Sequence, residues 1–299
     1  MRTGLVTLFL SLVLWAKGEP TKVTGYLPHY RAGAIDALPY ELLTDIVYFS
    51  IEPKSDGSID SSKAKPQILK KLTSRAKPKG VKVHDCLGGW GKSGGFSKMA
   101  ASPATRMAFV RNLILFLKKH ELDGADIDWE HPKTTVEIEN IQKLLIELKK
   151  AFRPHRLELT IAVSGWGTYL KPETMPFVDR IHVMAYDQGT PHSPFAGATR
   201  DMKHWEKQGV PKSKLVLGIP FYGRNAKGQA LGYSDILNRF KPGVDSDQAG
   251  GYHFNGPSTI RKKTAYAIRE GYGGVMIWEL GQDAKGKNSL LHAIRKKAD

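Results

Sequence analysis

This chain has almost no cysteine, too few acids to balance its bases, and no apolar run long enough to cross a membrane. A lone cysteine, Cys86, rules out an internal disulfide, so packing alone must hold the fold. We read Cys86 as a small buried apolar residue. There are 29 Asp and Glu against 45 Lys and Arg, a formal net charge of +16. The bases are spread through the chain with no nucleic-acid motif among them, so nucleic acid is not an expected partner. A solvated basic surface accounts for them, and adhesion to an anionic cell wall or matrix is the functional alternative. The longest apolar stretch, Leu5–Trp15, is shorter than a membrane span. With Arg2 before it and Ala16-Lys17-Gly18 after it, residues 1–18 read as a secretory leader. A secreted or periplasmic protein is expected, with an uncleaved anchor as the alternative. Internal repeats, low-complexity linkers and appended modules are absent, leaving residues 19–299 as one unit.

What is present is a regular alternation. Short β-rich runs occur at Lys22–Leu27, Asp45–Ser50, Val81–Cys86, Gly124–Asp128, Leu157–Val163, Ile181–Tyr186, Leu215–Ile219 and Gly274–Trp278. Helical patterns separate them. Eight such strands predict an α/β fold, a single-domain (β/α)8 TIM barrel. Ser102-Pro103 supplies an N-cap and a first-turn proline, with Met107, Val110, Ile114 and Leu117 as the expected buried stripe. Thr134 and Glu137 form a capping box ahead of Ile141, Leu145, Leu148 and Phe152, and Ser258 opens a later helix that stops at Gly271.

The most informative segment is Asp123–Glu130. Asp126, Asp128 and Glu130 fall on alternate positions of a strand, hence on one face, about 6.6 Å apart. Crowded acids raise one another's proton affinity, which suits a general acid working near neutral pH. A calcium loop would need a following glycine and a late glutamate that this stretch lacks.

These residues, read with four more segments, resemble the glycoside hydrolase family 18 chitinases over almost the whole length after residue 18. Asp123–Glu130 is similar to the family's D-G-x-D-x-D-W-E signature, Met184–Asp187 to M-x-Y-D, and Gly218–Arg224 to G-x-P-x-Y-G-R. Gly274–Trp278 resembles the last barrel strand with its site tryptophan, and Cys86–Trp90 resembles S-x-G-G-W with Cys for Ser. The resemblance implies cleavage of β-1,4 bonds in N-acetylglucosamine polymers with retention of configuration, the substrate's own acetamido group acting as nucleophile. It implies Glu130 as acid and base, Asp128 and Asp126 as its helpers, and Tyr186 as a hydroxyl donor to the acetamido oxygen. Trp278 becomes the floor of the reactive subsite, Asp187 and Met184 shape it, and Trp90, Tyr26, Tyr222 and Arg224 are further substrate-binding candidates. No metal or cofactor is implied, and a monomer is expected.

Two departures from the family pattern carry expectations. Ser50 stands where many members place a site phenylalanine, which predicts an open wall. About fifty residues separate Arg224 from Gly274, too few for the family's α+β insertion, which predicts a shallow cleft with Trp90 as the main exposed sugar platform. Trp166, Trp205, His84, His131 and His182 lack metal-ligand spacing and read as structural. A peptidoglycan-directed glucosaminidase and a non-catalytic lectin on the same barrel are the competing readings. Glu130 argues against the lectin.

Overall fold

The computed structural model describes residues 21–298, so the leader read at residues 1–18 lies outside the described residues. Eight parallel strands close on themselves: β1 (Lys22–Pro28), β2 (Asp45–Pro53), β3 (Lys82–Gly88), β4 (Gly124–Asp128), β5 (Glu158–Ser164), β6 (Arg180–Met184), β7 (Leu215–Pro220) and β8 (Gly274–Trp278). Each pairs with its neighbours in sequence order, and β8 returns to β1. This is the expected TIM barrel. The β4 and β8 boundaries coincide with the sequence reading, and the others differ by one to three residues.

Helices α1 (Pro66–Ala76), α2 (Phe96–Ala101), α3 (Pro103–Lys119), α4 (Thr135–Phe152), α5 (Phe195–Lys207), α6 (Tyr233–Phe240), α7 (Pro257–Glu270) and α8 (Leu290–Ala298) surround or flank it. After β1 and β5 the crossovers are short 3-10 turns, His29–Ala37 and Pro172–Phe177, so the alternation is less regular than the sequence suggests. The Ser102 cap and the Thr134–Glu137 capping box both form. Within α3, however, the buried face is Phe109, Leu113, Phe116 and Leu117, while Met107 is 69% exposed. Helix α7 starts at Pro257 behind Gly256, one residue before the expected Ser258.

Strand parity divides the core in two. Outward residues such as Ala125, Ile127 and Trp129 pack under the helices, whereas Tyr26, Val47, Phe49, Cys86, Val216 and Met276 fill the barrel interior. Cys86 is buried there, as expected, and burial pushes its thiol pKa well above the ordinary value. At the bottom, Arg180 joins Asp45 at 2.9 Å and Glu158 at 2.7 Å, with Lys82 on the other Glu158 oxygen and His84 at 3.4 Å. The two carboxylates are thus matched by Arg180 and Lys82, which makes this an ion-pair network and not a vacant cation cage.

The stretch after β7 corrects an expectation. Strands Tyr222–Asn225, Ala230–Gly232, Gln248–Ala249 and Tyr252–His253 form a small antiparallel sheet, with α6 between the second and third. Fifty residues suffice for a compact α+β excursion because its strands are only two to four residues long.

Candidate active site

Barrel function gathers at the C-terminal ends of the strands, where β4 delivers its acids. Asp126 and Asp128 alternate inward as parity requires, and Glu130 follows just past the strand. The three acids have different surroundings. Asp126 is fully buried, accepting hydrogen bonds from the Tyr26 hydroxyl at 2.6 Å and the Thr160 hydroxyl at 2.5 Å, with His182 Nδ1 at 3.2 Å. Burial alone would raise its pKa, but the His182 charge and these hydrogen bonds outweigh it and hold the pKa below the usual value. Asp128 has the opposite balance. Its Oδ1 is buried with no hydrogen-bond partner among the described residues, and burial, then the charges of Glu130 and Asp126, drive its pKa well up.

Glu130 is pushed up to about 7, mainly by burial, against a hydrogen bond from the Trp90 backbone N–H and with a further upward push from Asp187. Crowding of like charges, the sequence argument, is therefore secondary to burial. Nor do Asp126 and Asp128 share a hydrogen bond here, because the Asp126 oxygens are already taken.

A tight turn fixes Glu130. Gly88 and Gly89 sit at φ +95° and +100°, and the Gly89 N–H donates to the Asp128 carbonyl at 2.7 Å. A Cβ on Gly89 would lie 2.3 Å from the Phe49 ring. Ser93, absent from the sequence reading, donates its hydroxyl to the Asp128 carbonyl and accepts the Glu130 N–H, both at 3.0 Å. Only the fold brings this serine to the acid.

Trp278 ends β8 across the barrel. Its ring meets Phe49 edge-on at 4.8 Å and Tyr26 at 5.7 Å. Phe49 therefore forms the wall that the sequence reading left to Ser50. Inward parity on β2 selects 45, 47 and 49, while Ser50 is buried and receives the Lys92 ammonium at 3.2 Å. Met184 and Tyr186 pack partly buried against this cluster, and the Tyr186 hydroxyl lies 3.9 Å from the Met276 sulfur. Burial raises the Tyr186 pKa well above its ordinary value, keeping the phenol a neutral donor.

Three candidates change role. Tyr26 is 1% exposed and spends its hydroxyl on Asp126, so it supports an acid from below and does not line an open subsite. Tyr222, 4% exposed, donates to Asp187 Oδ1 at 2.8 Å. Arg224 forks onto both Asp187 oxygens, and His192 approaches at 3.4 Å. Burial would raise the Asp187 pKa, but these partners hold it far below the carboxylate range. Tyr222 and Arg224 therefore orient Asp187, which sits at φ +60°.

Trp90 is 80% exposed, as expected. Trp166 is 69% exposed and is not a core residue, whereas Trp205 and His84 are fully buried. His182 and His131 both contact acids of the site, at Asp126 and Glu130 respectively. His131 is the sequence neighbour of Glu130, whereas nothing in the sequence around His182 ties it to Asp126.

Comparison with known proteins agrees with this geometry. The family model "Glycosyl hydrolases family 18" matches residues 22–283. An endochitinase of Manduca sexta is 26% identical over 360 aligned positions, covering 91% of this chain and 65% of its own length. Chitotriosidase-1 of Mus musculus is 28% identical, covering 94% and 76%. The solved GH18 chitinase ChiB of Flavobacterium johnsoniae superposes with a TM-score of 0.82 at 29% identity, over 93% of this chain and 94% of that one. A chitinase structure from Bacteroides thetaiotaomicron gives 0.83 at 26% identity, over 93% and 96%. Since the family match runs through well over half of the sequence, the chain belongs to glycosyl hydrolases family 18.

Proposed function

We propose that this protein is an exported hydrolase of β-1,4-linked N-acetylglucosamine polymers, retaining in stereochemistry and assisted by its substrate. The single observation that carries the reading is the unequal treatment of three neighbouring acids. Asp126 is saturated with partners, Asp128 is buried with an unpartnered Oδ1 and a pKa driven well up by burial, and Glu130 is pushed up to about 7. Asp126 is not suited to attack carbon, since its oxygens are occupied, and the burial that raises the Asp128 pKa disfavours the anionic form a nucleophile needs. The resemblance to family 18 implies that the attacking oxygen is the 2-acetamido carbonyl of the substrate.

In this mechanism Glu130 gives its proton to the glycosidic oxygen as the bond to the anomeric carbon breaks. The acetamido oxygen bonds to that carbon. Asp128 offers its unpartnered Oδ1 to the acetamide N–H, and that contact steadies the positive charge growing on the ring. Tyr186 presents a neutral hydroxyl, Trp278 a flat apolar floor and Phe49 a wall. Glu130, now ionised, then takes a proton from the water that opens the intermediate.

Several relatives and neighbours are described as chitinases, and a Nicotiana class V chitinase has been solved with a four-sugar ligand, which supports this substrate class. The chain spans 65% of the Manduca sexta endochitinase and 14% of a probable chitinase 10 of Drosophila melanogaster, so the activity rests on the site and not on those proteins' full architecture. Export is supported by the leader-like residues 1–18. The basic surface favours adhesion to an anionic wall. The test is Glu130→Gln assayed on N-acetylglucosamine oligomers. A loss of at least about 10^3-fold in kcat with oligomer binding retained supports the reading, and near-normal turnover refutes it.

A further inference from the structure

Resting on the proposed hydrolase reading, we infer that Trp166 is a sugar platform on the leaving-group side of Glu130, held in place by His131. The indole is 69% exposed, on the loop that follows β5, and its ring meets the His131 ring at 5.3 Å and 69°. His131 in turn lies 3.7 Å from the Glu130 carboxylate through Nε2 and faces the Tyr169 ring at 6.3 Å on its other side. Trp166, His131 and Glu130 thus form a chain of contacts running outward from the acid. An indole of this exposure presents a flat apolar face that a sugar ring can cover.

Position selects the ligand. Trp278 and Phe49, at the ends of β8 and β2, are the floor and wall assigned to the reactive sugar, and β4 with Glu130 lies across the barrel from β8. The acid protonates the oxygen that departs with the leaving sugar. Residues that contact Glu130 on the side away from Trp278 therefore face the leaving portion of the polymer. Trp90 follows β3 and Trp166 follows β5, so two exposed indoles flank the strand of the acid. Pyranose rings carry an apolar face that stacks on indole. The ligand class is accordingly an N-acetylglucosamine unit beyond the cleaved bond. His131 is a positioning residue: it braces the indole with a ring edge, and its Nδ1 is buried without a partner among the described residues.

The test pairs a long substrate with a short one. Michaelis constants are measured for N-acetylglucosamine hexamer and for an aryl glycoside of the dimer, whose leaving group ends before a second sugar. Trp166→Ala should raise KM for the hexamer roughly five- to tenfold more than for the aryl glycoside and change the hexamer product pattern, with Trp166→Phe recovering much of the loss. His131→Phe, which keeps a ring, should preserve hexamer KM better than His131→Ala. Equal effects on both substrates would overturn the inference. Calorimetric titration of hexamer into the Glu130→Gln background, with and without Trp166→Ala, gives an independent readout should the parent protein hydrolyse neither substrate. Weaker hexamer binding on loss of the indole sustains the platform even then, and unchanged binding removes it.

Discussion

Glu130 and Asp128 show what burial does to a carboxyl group. Because Glu130 must be protonated to act, and its pKa is raised to about 7, kcat should fall as pH rises through about 7. Initial rates between pH 4 and 9 check this, and a rate still climbing at pH 9 would contradict it. Asp128 also carries a stability consequence. Its folded pKa lies well above its unfolded value of about 3.9, so its contribution is fully present below pH 4 and declines as pH rises toward the folded pKa. Asp128→Asn should therefore lower activity at every pH while raising Tm relative to the parent at pH 8 and not at pH 3.5. Scanning calorimetry at both values decides it. The inward placement of Asp126 and Asp128 was legible in the sequence, since a strand has period two. The contrasting state of Asp126 was not, because Tyr26, Thr160 and His182 reach it from β1, β5 and β6, which only the closed barrel brings together.

Elements were more legible than their faces. Local caps settled where α3 and α4 begin, and both caps form as read. The buried stripe of α3 was misplaced because Met107, Val110 and Ile114 and the true face of Phe109, Leu113 and Phe116 are both spaced at helical intervals. A sequence with apolar residues on two sides does not say which side meets the barrel. The structure does, with Leu113 fully buried and Met107 exposed. Leu113→Ala should cost about 2–5 kcal/mol in urea unfolding, and Met107→Lys less than about 0.5 kcal/mol. Comparable losses would mean that the helix is rotated from its place here. The turn after β3 is a second case: Gly89→Ala would strain a backbone at φ +100° and press on Phe49, so activity and Tm should both fall. The G-G-W pattern announced a turn, but not that the turn feeds a backbone N–H to Glu130.

On the scale of the whole molecule, the barrel separates holding the fold from doing chemistry. Its lower end carries the Arg180, Asp45, Glu158 and Lys82 network, and its upper end the acids and aromatics. Removing one partner strands charge in the interior, so Arg180→Met should cost about 3–5 kcal/mol of stability while leaving the pH profile of the remaining folded enzyme unchanged. Denaturant titration beside a rate profile checks both halves. Eight strands were readable from the pattern along the chain, since parallel strands buried on both faces read as apolar runs. The small sheet around α6 was not, because strands of two to four residues carry too little pattern.

The measurement closest to the central claim is the anomeric form of the first product, followed by proton NMR in the opening minutes of N-acetylglucosamine oligomer hydrolysis. Attack by the acetamido oxygen followed by water inverts twice, so the account predicts newly formed β-anomer appearing ahead of mutarotation. Initial release of the α-anomer, or equally fast cleavage of oligomers stripped of their acetyl groups, would contradict it.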